Sequence, residues 1–165
     1  MESEKLLNKH NISYDYIRSL TIDCYALDIA AYALFIDGIH ADGSDRTKEI
    51  YREKLSTSLL NLSVAVRTLF YQGVETIVKP QNISYCGFYE SDNKEDEASV
   101  SIKDVCDKII HADSLDRVFE KTGDDGRKPI TSISGTYKRK PWVLEISVDL
   151  FCASVLNWVD ELEQA

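Results

Sequence analysis

Apolar residues in the first third of the chain return every three to four positions. Ile17, Leu20, Cys24, Leu27, Ala31 and Leu34 form one seam, the period of a helix that lays one face on a core. Asn11 or Ser13 can cap its start, and Gly38, just after Asp37, can end it. A second set, Tyr25, Ile29, Tyr32 and Ile36, makes this helix apolar on more than one side. That predicts a central position or a subunit interface. Asp23 and Asp28 interrupt the pattern, and a carboxylate on a largely buried helix needs a cation or hydrogen-bond donors beside it. A second long helix is predicted from Ser44 or Asp45 to about Gln72, stopped by Gly73, with Leu55, Leu59, Leu62, Val66 and Leu69 as its seam. The intervening GIHADGS reads as a loop, so the two helices are expected to form an antiparallel hairpin. Arg67, inside the apolar NLSVAVRTLF, either snorkels to the surface or pairs with Asp23 or Asp28.

Between residues 74 and 99 the period fades. Lys79 and Pro80 mark a turn, YCGFY a short extended piece, and ESDNKEDE an acidic loop. Periodicity returns in IKDVCDKIIHAD, residues 102–113. At about 100° per residue, Ile102, Val105, Cys106 and Ile109 share one face, with Asp104, Asp107, Lys108 and His111 nearly opposite. Ser101 is a natural N-cap, with Asp104 three residues on. LDRVFEK is predicted as a brief helix and TGDDGRKP as a loop. Residues 129–137 and 141–148 then read as strands, the second alternating Trp142, Leu144, Ile146 and Val148 with Val143, Glu145 and Ser147. The KRK link makes them a β-hairpin, expected to pack as a flap on the helices. Asp149 is expected to cap a last helix with Phe151, Val155, Trp158 or Val159, and Leu162 on its stripe. The expected fold is mainly α: a bundle of two long antiparallel helices, a shorter third helix, a β-hairpin and a C-terminal helix. It forms a single domain over 1–165, with the hairpin inserted at about 129–148.

Charge changes the picture of partners. Nineteen Lys and Arg against 28 Asp and Glu give a net charge of −9, which on average repels nucleic acid and anionic membranes. Contact with RNA would need a local basic patch. Arg127, Lys128, Lys138, Arg139 and Lys140, beside Tyr137 and Trp142, are the candidates, although cations at a hairpin tip also serve solubility. The opening MESEKLLNKHN lacks a basic stretch followed by an apolar core, and residues 24–36 are interrupted by Asp28 and too short for a bilayer. A cytoplasmic protein without membrane contact is expected. Cys24, Cys86, Cys106 and Cys152 show no CxxC spacing and read as buried thiols. Asp37, His40 and Asp42 do not fit a calcium-loop pattern, so no metal site is expected. No phosphate-cradling glycine loop is present, and no cofactor is expected.

The order of elements, together with DKIIHA in the third helix, resembles the HEPN superfamily of helical bundles found in toxin, defence and RNA-processing proteins. Nuclease members carry an Arg, usually followed by a polar residue, four to six positions before a His in a late helix. The pair acts in metal-independent RNA cleavage, usually across a homodimer. His111 takes the histidine position, but Val105, Cys106 and Asp107 stand where the arginine would fall. Cleavage needs a base for the 2′-hydroxyl and a cation for the phosphate. His111 could be the base and Lys108 the cation, while Asp107 could hydrogen-bond the imidazole but would repel phosphate. An arginine distant in sequence, Arg67 or Arg117, could serve in place of Lys108. The missing guanidinium favours a non-catalytic module that self-associates or binds another protein. The alternative is a metal-independent endoribonuclease or toxin that uses His111 as general base. Nucleotide binding without cleavage is a third expectation.

Overall fold

The computed structural model describes residues 12–36, 45–72, 87–91, 100–119 and 130–164, and it is mainly helical. Helix α1 spans Tyr14–Ala31. Ser13 caps it, its Oγ accepting from the Tyr16 amide at 3.1 Å. A π-helical turn, Tyr32–Ile36, prolongs it. The continuous helix from Tyr14 to Ile36, 23 residues, is by length and composition long and apolar enough to cross a membrane, a longer span than the run at 24–36 singled out from the sequence. Ile17, Cys24, Ala31 and Phe35 are nevertheless buried against the rest of the protein.

Helix α2, Asp45–Tyr71, buries the predicted seam of Leu55, Leu59, Leu62, Val66 and Leu69, and adds Tyr51 and Phe70. The amide of Ile12 donates to Gln72 Oε1 at 3.2 Å. At the other end, the Tyr51 hydroxyl donates to the Leu27 carbonyl at 2.8 Å, and Phe35 meets the Tyr51 ring edge-on. Gly38, His40, Asp42 and Gly73 lie outside the described residues, as does Cys86.

Four strands form one antiparallel sheet in the order β1-β4-β3-β2: β1 Gly87–Ser91, β2 Ser114–Arg117, β3 Thr131–Tyr137 and β4 Lys140–Ile146. The expected hairpin is therefore the centre of a larger sheet. The extended piece around YCGFY supplies β1, with Tyr89 opposite Leu144. The predicted brief helix at LDRVFEK is not formed in its described part, where residues 115–117 belong to β2, with Leu115 opposite Ile133 and Arg117 opposite Thr131. So short a segment nucleates a helix poorly. Here pairing with β3 satisfies its backbone, and the Asp113 amide already donates to the Ser134 carbonyl at 2.8 Å. Ile133, Trp142, Leu144 and Ile146 are buried with the helices in one core.

Helix α3 is Ile102–Ile110, and α4 is Val148–Gln164. Helix α4 begins earlier than expected, because the Ser147 carbonyl already accepts from the Phe151 amide at 3.0 Å. Asp149 thus sits inside the first turn, where Oδ1 accepts from the Leu150 amide at 2.9 Å. Phe151, Val155, Trp158, Val159 and Leu162 are all buried.

The carboxylate of Asp28, awkward in the sequence, finds its cation in β2. Arg117, 1% exposed, donates to it. Arg117 also reaches Thr131 Oγ1 at 3.4 Å. The Arg117 carbonyl in turn accepts from Arg52 at 3.3 Å. An ion pair so enclosed ties α1, α2 and the sheet edge together.

Candidate functional site: the wall where α3 meets the hairpin

Helix α3 is fixed by a full capping box. Ser101 Oγ accepts from the Asp104 amide at 3.1 Å, and the Ser101 amide donates back to the Asp104 carboxylate at 3.1 Å. Ile102, Val105, Cys106 and Ile109 are buried, as the periodicity predicts. Asp104 and His111 are exposed, while Asp107 and Lys108 are half-buried.

His111 occupies the C-cap, with φ −100° and ψ 11°. Its amide still donates to the Asp107 carbonyl at 3.2 Å, so the last turn of the helix reaches it. Asp107 turns to other partners: Arg67 Nε at 3.2 Å and Lys103 Nζ at 3.1 Å. The hydrogen bond that Lys103 donates to the Asp107 carboxylate is the main cause of an upward shift in the Lys103 pKa. Arg67 therefore bridges α2 to α3, neither snorkelling alone nor meeting Asp23 or Asp28. Its guanidinium also lies 5.6 Å from the centre of the Tyr71 ring. The arginine that sequence spacing did not supply next to His111 is spent on its neighbour Asp107.

Lys108 and His111 do share a cleft. It encloses about 420 Å³ and is lined by Asp107, Lys108, His111, Thr136, Tyr137 and Trp142. The Lys108 ammonium stands 4.8 Å above the Trp142 ring, at cation–π distance. Gly135 makes this arrangement possible. A Cβ there would come within 2.5 Å of Trp142 Cζ2 and 3.0 Å of the His111 carbonyl oxygen, so only a bare Cα lets the indole lie across β3 under the end of α3.

The hairpin closes through two residues between the Tyr137 and Lys140 pair. Lys138 and Arg139 have φ of 48° and 67°. This is the signature of a type I′ turn, which favours Asn-Gly. Holding two ordinary side chains there costs about 1–2 kcal/mol each. Both are exposed, as are Tyr137 and Lys140, and Lys138 Nζ sits 5.2 Å over the Tyr137 ring. Three of the five basic candidates, Lys138, Arg139 and Lys140, thus stand beside the cleft. Arg127 and Lys128 lie outside the described residues. Among the described residues, no cluster of three His, Cys, Asp or Glu could hold a metal ion.

No family model, curated protein or solved structure matches this chain. The residues themselves must carry the reading. The cleft brings one imidazole, one ammonium group, one carboxylate and two aromatic rings together, with the cationic hairpin tip next to it in sequence.

A second surface was only half visible in the sequence. Ile22, Tyr25 and Ile29 on α1 are 60%, 45% and 51% exposed. At about 100° per residue they form one ridge, flanked by Ala26 and Ala30. Those alanines, with Asp23, Leu27, Glu53, Lys54, Thr57 and Ser58, line a groove of about 720 Å³ between α1 and α2. The doubly apolar pattern pointed to the ridge; the small residues forming the groove gave no separate signal.

The thiols are structural. Cys24, Cys106 and Cys152 are buried and in no disulfide among the described residues. Burial pushes the Cys24 and Cys106 thiols up to about 12, far from the thiolate character that reactivity requires.

Proposed function

We propose that this chain is a non-catalytic, HEPN-like interaction module, one domain built around an antiparallel pair of long helices, which self-associates through the outer face of α1. The observation that carries the reading is the ridge of Ile22, Tyr25 and Ile29 lying beside a groove of small residues. A two-fold pair must present the same patch on both copies, and a ridge next to a groove is self-complementary in that sense. Asp23 and Lys54 both line the groove. The proposed two-fold pairing sets Asp23 of one copy against Lys54 of the other. A cytoplasmic role in toxin, antitoxin or defence systems of bacteria or phages is what the resemblance would imply.

Sedimentation velocity tests this. Wild-type protein is expected as a dimer, and Ile29→Lys as a monomer with an unchanged circular dichroism spectrum. Asp23→Lys and Lys54→Asp should each weaken the dimer, and the double exchange should restore it. A monomeric wild type would end the proposal.

The sharing of one cleft by His111 and Lys108 favours a second reading. In metal-independent RNA cleavage, His111 would take the 2′-hydroxyl proton and Lys108 would face the phosphate. RNA left intact by the purified dimer, or activity unchanged in His111→Ala, would remove that reading.

A further inference from the structure

The ridge on α1 is too short to hold two copies together by itself. From Ile22 to Ile29 is about 10 Å of helix at a rise of about 1.5 Å per residue, whereas a specific interface removes about 800 Å² from each partner. The contact has to spread sideways, and charge decides the direction. Toward α4 the way is closed by an ion-pair cluster of Arg18 with Asp15, Asp160 and Glu163. Toward α2 it is open. Seven of the ten residues Asp45–Lys54 are charged, but between Leu55 and Tyr71 the only charge is Arg67, which faces Asp107 of α3 at 3.2 Å. Thr57, Leu60, Asn61, Val64 and Tyr71 of that stretch are exposed and recur at helical spacing on one outer face. Leu60, Val64 and Tyr71 are 42%, 47% and 58% exposed. In a chain with 28% charged residues, an exposed helix face about 21 Å long and free of charge has the composition of an interface centre, where charged side chains are depleted.

We infer that the self-association surface spans both long helices, and that the uncharged outer face of α2, centred on Leu60 and Val64, receives the α1 ridge of a second copy. The inference rests on the self-association proposed above and supplies the part of the interface that α1 lacks. A second copy is the occupant because the groove on this face carries charge of both signs. Asp23 and Lys54 line it, and neither forms an ion pair among the described residues. A bilayer would cover both groups without an answering charge, which is costly. A second copy answers each with its opposite, whereas an unrelated protein would have to reproduce both. Glu53, the third charged residue at the groove, is exposed and belongs to the charged turns of α2, at the margin of the face.

Sedimentation velocity on the full chain tests it with Val64→Lys and Asn61→Glu, each of which sets a charge on the face. Lysine and glutamate are better helix formers than valine and asparagine, so both variants should keep the wild-type circular dichroism spectrum. The dimer dissociation constant should rise by about tenfold or more in each. Ile130→Lys, at a comparably exposed aliphatic residue outside both helices, should leave it unchanged, and an equal rise there overturns the inference. A dimeric wild type whose affinity either helix substitution leaves unchanged overturns this inference alone, with the α1 proposal standing. A monomeric wild type overturns both. Flotation with phosphatidylcholine vesicles is the lipid arm. No binding is expected; binding that Val64→Lys abolishes overturns the inference and assigns the face to a membrane.

Discussion

The Arg117–Asp28 and Arg67–Asp107 pairs lie in opposite settings. Arg117 and Asp28 join β2 to α1 in the interior, with the arginine side chain 1% exposed and the carboxylate 13%. Arg67 and Asp107 join α2 to α3 at the outer wall, with side chains 35% and 28% exposed. The interior pair fixes the register between distant parts of the chain, since each partner would be intolerable there without the other. The outer pair contributes little to stability. What it does instead is set a guanidinium beside Asp107, which lines the cleft together with Lys108 and His111. Similar chemistry thus serves architecture in one place and the tuning of a surface in the other.

The largest expected break in that comparison is Asp28→Ala. It strands a buried guanidinium and should lower stability by about 3–5 kcal/mol in urea unfolding. Adding Arg117→Met should recover most of the loss; a single substitution costing as little as a surface change would show that the interior pair is hydrated.

Gly135→Ala comes next, because it forces Trp142 off β3 and presses on the His111 carbonyl. The cost should be about 1–3 kcal/mol, with a shift in tryptophan emission as Trp142 moves.

The interior should also respond to alkali. Burial raises the Tyr51 phenol from 10.0 to about 12, and the Cys24 and Cys106 thiols from 9.0 to about 12. Raised values mean that the folded state holds these protons more tightly than the unfolded chain. The stabilisation is whole below pH 9 and is lost as pH climbs to about 12. Thermal melts across that window should show a progressive fall, and native protein at pH 8 should resist iodoacetamide at Cys24, Cys106 and Cys152, as read by mass spectrometry.

The smallest effect belongs to Arg67→Ala, expected to cost less than about 1 kcal/mol. Urea unfolding of the variant beside wild type checks it.

The helices were legible because burial imposes a period that the chain must repeat for many turns. Leu55 to Leu69 on α2, and Ile102 to Ile109 on α3, follow it without exception. Strand β4 was legible for the same reason at a period of two, with Trp142, Leu144 and Ile146 all buried. Strand β2 was not, because LDRVFEK carries no clear alternation and its state is decided by a partner far along the chain. The site divided similarly. That His111 would be exposed followed from its angle on the helix, whereas the diversion of Asp107 to Arg67 depended on how α2 packs on α3. The strain at Lys138 and Arg139 could have been anticipated, since two residues between paired strands demand a mirror-image turn whatever side chains they carry.

The sheet's strand order has a bearing on how the molecule is assembled. Strand β1 must wait for β4, whose residues pair with it from Gly87 opposite Ile146 to Ser91 opposite Trp142, and Asp28 must wait for a guanidinium 89 residues further on. A chain emerging from the ribosome can join its two long helices early, but their carboxylate stays unanswered until β2 arrives and the first strand stays unzipped until β4 has been made. Newborn chains should therefore be most in need of chaperones over that interval, and truncation before β4 should yield aggregates rather than a smaller soluble bundle.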